Sequence, residues 1–309
     1  MRTRRWIVVT AASALAGAGG VLIGAQAFAK PQPAPAGEHR VLTQQYLSGS
    51  DNQPQPGARA ASVTPFIAAT NAHCGMDVEA NLTLNGDLVC THGTALYVTA
   101  ANAVLNLNGH MITGPLGAGT LDNGVEVLAS GVTVENGTVV QFHTGVWVHL
   151  FGSTLVNVKV TNITANFNEI GVEDEARGTT ATNGTKVTNS YFAANTISGI
   201  VCGFCSGASY TGNRAMNSPG NEGGFGVEAF EPQQFGLLLT SNIVTGNRHA
   251  GIQINGGVAK LAKNSAYFNG DDGIVADTLT RADGLGNLAK GNDWADGNNP
   301  EQCYGVACS

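Results

Sequence analysis

Residues 242–252, NIVTGNRHAGI, are echoed at 264–274 by NSAYFNGDDGI, an interval of 22 residues between the leading asparagines. In each, an asparagine opens a short run of β-branched or aromatic residues, and a glycine followed by isoleucine begins the next. The glycine marker recurs upstream: GVEV at Gly124, GVWV at Gly145, GVED at Gly171, GIVC at Gly199, GVEA at Gly226, GIQI at Gly251 and GIVA at Gly273. Its intervals are 21, 26, 28, 27, 25 and 22 residues. Asn136, Asn162, Asn189, Asn242 and Asn264 form a second marker in phase with it. Two phased markers identify a repeat architecture.

A leucine-rich repeat would carry L-x-x-L-x-L, which is missing, and no stretch sustains helical periodicity. Short alternating strands broken by Gly, Asn and Ser predict one turn of a β-solenoid per repeat. Successive turns then stack about 4.8 Å apart, so equivalent residues form columns. Asparagines in register can bond along the stack as ladders, the expected role of Asn162, Asn189, Asn242 and Asn264.

Composition agrees, because 42 glycines in 309 residues, 12% charged and 6% aromatic side chains suit neither a helical bundle nor a disordered chain. Residues 1–29 read as a signal peptide. MRTRR is its basic start, an alanine-rich apolar run follows, and AFA precedes Lys30. The adjacent Arg4 and Arg5 are also compatible with twin-arginine export. Residues 30–65, rich in Pro, Gln and Ala, read as a flexible spacer, leaving 66–309 as the repeat domain.

The formal net charge is −7, and removal of residues 1–29 takes away Arg2, Arg4 and Arg5 but no acid. This argues against a nucleic-acid partner. A strongly anionic polysaccharide would also be repelled unless a cation or a local basic strip intervened. No second hydrophobic segment approaches membrane-spanning length. Six cysteines, all beyond residue 29, suit an exported protein that forms disulfides. Six allow about fifteen pairings. Pairing within the neighbouring couples Cys74 and Cys90, Cys202 and Cys205, and Cys303 and Cys308 would staple both ends of an elongated fold.

The stretches CGMDVEANLTLNGDLVC (74–90), AVLNLNGHMITG (103–114), NIVTGNRHAGI, NSAYFNGDDGI and the terminal QCYGVAC together resemble the right-handed parallel β-helix proteins of the pectin-lyase-like superfamily, especially exported bacterial members with parallel β-helix repeats. The resemblance covers residues 70–309. It implies a single-stranded right-handed parallel β-helix of about eight rungs, capped near its ends by local disulfides. The superfamily is mostly carbohydrate-directed, but its fold hosts lyases, hydrolases, epimerases, adhesins and inert shafts.

Its catalytic signatures are mostly missing. Of the polygalacturonase-type elements N-T-D, D-D, G-H-G and R-I-K, only the Asp271–Asp272 pair is present. The D-P-H element of mannuronan epimerases has FEPQQF at 230–235 as its nearest counterpart, without histidine. No Arg-x-Pro-x-x-Arg element occurs. Met76, Met111 and Met216 are too dispersed for copper handling, and no flat array of threonines of the ice-binding kind is expected.

Register supplies the candidate site. If the residue after each marker glycine points inward, the next points outward. The outward column is Glu126, Trp147, Glu173, Val201, Glu228, Gln253 and Val275. Beside it run Leu128, His149, Glu175, Gly203, Phe230, Asn255 and Asp277. Carboxylates, amides, an imidazole and aromatic faces are what a sugar-binding groove requires.

Trp147, Glu126, His149, Phe230, Gln253 and Asn255 are the expected substrate-binding residues, and Glu173, Glu228 and Arg177 the expected catalytic ones. Glu173 and Glu175 are candidate Ca²⁺ ligands. Lys159 or Lys186 could serve in place of Arg177 as base or clamp in a lyase, with His249 an accessory group. Burial of Trp147 and Glu228 under loops would remove the groove. The expected function is a secreted β-helix that binds, and by lyase or hydrolase chemistry cleaves, a polysaccharide. The alternative is a catalytically silent structural or adhesive β-helix at the cell envelope. Within EIGVEDEAR (169–177), Asp174 alternates inward, which requires backbone or asparagine donors, or a bulge at that rung.

Overall fold

The computed structural model describes residues 72–115, 121–149, 155–175, 184–203, 206–219, 225–230, 235–277, 280–292 and 302–309. The expected signal peptide and spacer, together with Arg177 and Cys205, lie outside the described residues.

Among the described residues every regular element is a strand, and the strands pair into two parallel sheets. Seven strands of the first sheet carry the marker glycines: Asn123–Val127, Thr144–His149, Ile170–Glu175, Ser198–Cys202, Phe225–Phe230, Ile252–Asn255 and Ile274–Ala276. The last two glycines immediately precede their strands. The stack is extended by Met76–Val78 and Leu96–Val98 at one end and Cys303–Tyr304 at the other, giving a 10-stranded sheet. These end strands lack the glycine marker, so the sequence pattern undercounts them.

Between neighbours in the first sheet the chain visits the second sheet. After Ile170–Glu175 it forms Lys186–Thr188, bends, forms Tyr191–Ala193, and returns as Ser198–Cys202. Each turn therefore has three straight runs and three corners, the expected parallel β-solenoid.

Two corners repeat one local code. The first has positive φ at Asn136, Asn162, Asn189, Gly212, Ser241, Lys263 and Gly286. The second has it at Gln141, Phe167, Ala194, Asn217, Gly246, Phe268 and Gly291. From the third repeat onward, the following residue turns inward as Ser190, Asn213, Asn242, Asn264 or Asn287 at the first corner. At the second corner it is Asn168, Asn195, Ser218, Asn247, Asn269 or Asn292, and all of these are buried. The Asn213 backbone N–H donates to Asn242 Oδ1 at 3.0 Å, and the Asn242 N–H to Asn264 Oδ1 at 3.0 Å. The Asn242 amide in turn donates to the Tyr210 carbonyl at 2.9 Å. The ladders thus pair backbone groups that the bends would otherwise bury unsatisfied.

Asn242 and Asn264 join a ladder as expected. Asn162 and Asn189 instead occupy the exposed positive-φ corner one residue earlier, a conformation that asparagine tolerates better than most residues. The apparent single marker is two adjacent roles.

The glycine and asparagine markers meet inside the stack. A Cβ at Gly145 would lie 2.6 Å from the Gly171 carbonyl oxygen and 3.1 Å from Asn168 Nδ2, and one at Gly251 would lie 2.7 Å from both the Gly273 oxygen and Asn269 Nδ2. A side chain there would separate the rungs. The next residues, Val125, Val146, Val172, Ile200, Val227, Ile252 and Ile274, point inward as predicted and are buried in the continuous core. Disulfides Cys74–Cys90 and Cys303–Cys308 lie near the two ends of the stack. Cys202 is disulfide-bonded as well.

Candidate functional site

The strand register aligns Tyr97, Glu126, Trp147, Glu173, Val201, Glu228, Gln253 and Val275 on successive rungs of the first sheet. From Glu126 onward this is the predicted outward column. In the second column His149 pairs with Glu175, and Phe230 with Asn255.

An outward position does not mean exposure here. Glu173 is 6% exposed, Glu228 2% and His149 2%, and Glu175, Leu128 and Val201 are also buried. The expectation that Glu173 and Glu175 face solvent is therefore corrected. Trp147, Glu126, Gln253 and Asn255 keep partial exposure, so the face is covered at its centre and partly open on either side. The Phe230 side chain lies outside the described set.

Register also explains the local pairings. Trp147 and His149 are two apart on one strand, hence on the same face, and their rings stack with centroids 3.4 Å apart and planes 16° from parallel. His149 Nε2 reaches back one rung to hydrogen-bond Glu126 Oε1 at 2.7 Å. Glu126 Oε2 also accepts long bonds from Thr94 Oγ1 and Asn123 Nδ2, each 3.5 Å. One repeat later, the Thr144 hydroxyl donates to Glu173 Oε2 at 3.0 Å.

At the entrance to the same strands His143 Nδ1 and Glu169 Oε2 are 2.9 Å apart. Burial pushes the His143 pKa down, but the Glu169 hydrogen bond and the charges of Glu173 and Glu169 outweigh it and leave it raised. The bond from His143 lowers that of Glu169. Thr144 and Asn123 immediately precede marker glycines, so extending the register backwards across the glycine would have found them.

Glu228 differs from the other acids. Burial pushes its carboxyl up to about 8, and its Oε2 has no hydrogen-bond partner. It is therefore a neutral carboxylic acid at neutral pH. The buried indole N–H of Trp147 is also without a partner. Glu126 and Glu173, and likewise Glu173 and Glu228, are separated by two rungs, about 9.6 Å along the stack.

Asp174 points inward and is fully buried. The expected bulge is not found at this rung. The rung is regular, with Glu173 opposite Trp147, Asp174 opposite Val148 and Glu175 opposite His149. Its oxygens accept hydroxyl donors, Thr185 Oγ1 at 3.2 Å and Tyr210 Oη at 3.0 Å. Burial, with help from Asp174, drives the Tyr210 pKa well above its ordinary value.

Other expected participants lie apart. Lys159 and Lys186 belong to strands of the second sheet, outward on a different face, so neither serves the glutamate column. His249 pairs with Asp271 at 2.8 Å, which places that aspartate in an inter-rung clasp. Gln253 donates to Asn255 at 3.1 Å. Among the described residues no group of three or more His, Cys, Asp or Glu is arranged to hold a metal ion.

No protein-family model matches the chain, and no curated protein matches it. Among solved structures it is similar to the periplasmic alginate epimerase AlgG, with 14% identity over 74% of this chain and a TM-score of 0.45. It is also similar to the pectate lyase Pel9A, with 16% identity over 74% of this chain and 73% of that one, and a TM-score of 0.43. The match spans 62% of the length of the alginate epimerase. At these identities the similarity is one of fold, and the parallel β-helix assignment rests on the strand pairing itself.

Proposed function

We propose that the outward face of the first sheet is a glycan site in an extracytoplasmic protein, and that Glu228 and Glu173 make it hydrolytic. The observation that carries this reading is the buried Glu228 carboxyl, neutral near pH 7 with an unpartnered oxygen, two rungs from a second glutamate that accepts a hydroxyl hydrogen bond. Environments that separate the pKa values of two carboxyl groups assign acid and base.

Glu228 donates a proton to the glycosidic oxygen as the bond to the anomeric carbon breaks. Glu173 removes a proton from the water that attacks the opposite face of the sugar. The rung spacing lies near the upper end of the roughly 6.5–9.5 Å carboxyl separation of inverting glycosidases. Trp147, partly exposed, offers a stacking face. The partly exposed Trp147, Gln253 and Asn255 supply the approach. The disulfides favour an oxidising compartment.

The test incubates the purified protein with neutral and uronate polysaccharides, with calcium or chelator, and assays new reducing ends against unsaturated products. Reducing ends from the native protein, lost at least 100-fold in Glu228→Gln and in Glu173→Gln, support the reading. Unsaturated products would reassign the face to a lyase. Neither binding nor cleavage would favour a catalytically silent shaft, the reading that central burial of Glu173 and Glu228 supports.

A further inference from the structure

On another face, the second-sheet strands Lys186–Thr188, Ser209–Thr211 and their neighbours present two outward columns. One reads Thr161, Thr188, Thr211 and Thr240 on four successive rungs. Thr188 Oγ1 donates to Thr161 Oγ1 at 3.0 Å. This column departs from the expectation that no threonine array exists, and variable rung lengths conceal it in the sequence. The adjacent column reads Lys159, Lys186, Ser209, Leu238 and Lys260.

Lys159 and Lys186 are direct register partners, about 4.8 Å apart in backbone position. Like charges opposite one another on a sheet are destabilising. Both are exposed, as is Lys260. Among the described residues every ion pair involves a histidine, and none of the three lysines takes part in one. Carboxylates enter these columns only at the ends, with Glu135 before Thr161 and Asp283 after Lys260 in register. In a chain of net charge −7, this is a local reversal of sign.

We propose that this strip binds an acidic polysaccharide laid along the stack, as an attachment surface separate from the glutamate-lined face. The lysines supply charge complementarity, and the hydroxyls supply a donor or acceptor at each of the four rungs from Thr161 to Thr240. An extended polymer presents its own groups at a comparable repeat. A nucleic acid fits poorly, because neither column carries an aromatic side chain on which a base could stack. The glutamate column repels the same polymer, so the two faces select partners of different charge. The assignment is independent of whether the first face is hydrolytic.

Affinity electrophoresis of the purified full chain through gels containing polygalacturonate, with dextran as the neutral control, provides the test. The native protein is expected to be retarded by polygalacturonate alone, with retardation fading as salt passes about 0.1 M, where the Debye length is about 10 Å. Substituting Lys159→Gln, Lys186→Gln and Lys260→Gln together should weaken binding at least tenfold without lowering the melting temperature, and Thr188→Val should weaken it to a smaller extent. Absence of retardation in the native protein would overturn the proposal. So would retardation that survives the triple substitution, or that disappears on Trp147→Ala instead.

Discussion

Glu228 couples the chemistry of the face to the stability of the fold. Its folded pKa, about 8, lies above the ordinary glutamate value, so the folded state holds the proton more tightly than the unfolded chain. The stability associated with protonation is complete below about pH 4.3 and is lost as pH rises through the folded pKa. At roughly 1.4 kcal/mol per pKa unit, the loss is on the order of 5 kcal/mol. Glu228→Gln, which cannot ionise, should therefore be close to neutral at pH 5 and stabilising at pH 9, as measured by urea denaturation at the two pH values. An equal effect at both would contradict the burial argument.

Asp174 makes the complementary case. Tyr210→Phe removes one of its hydroxyl donors inside the solenoid and should cost roughly 1–3 kcal/mol in the same measurement, whereas an unchanged midpoint would mean that the contact carries no stability. The inward direction of Asp174 was legible from strand alternation. Its donors were not, because Thr185 and Tyr210 reach it only once the second sheet closes over the interior.

Among the elements, the ladders make a sharper prediction than the strands. Ser218 stands where neighbouring turns place asparagine, and its buried hydroxyl has no partner. Ser190, in the other ladder, accepts from the Ile163 N–H at 3.1 Å and donates to the Thr188 carbonyl at 3.0 Å. Ser218→Asn should therefore extend its ladder and raise stability by about 1 kcal/mol in chemical denaturation; a lower midpoint would show that this corner has no room for an amide. Glycine spacing made the first-sheet register legible, since a period of two leaves one inward set. The asparagine marker was ambiguous because an exposed corner residue and a buried ladder residue are adjacent. Aligning on Asn162 and Asn189 therefore shifted those rungs by one position relative to Asn242.

At the scale of the molecule, the stack separates two chemistries by face. The glutamate column lies on the first sheet and the threonine–lysine strip on the second, and the same rung repeat propagates both. The fold was legible because its period is written into glycine and asparagine columns. Coverage of the glutamate face was not, since alternation tells which side of a sheet a side chain leaves but not what lies above it. Fold alone does not choose among the chemistries that β-helices host; the pairing of a neutral buried acid with a second carboxylate is what supports the proposed hydrolytic reading. The most direct test is the pH profile of reducing-end release from a responsive glycan by the native protein and Glu228→Gln. Activity in the native protein that declines above about pH 8 as Glu228 ionises, and falls at least 100-fold on substitution, is the predicted result. Undiminished activity in Glu228→Gln, or no release from any glycan by the native protein, would contradict it.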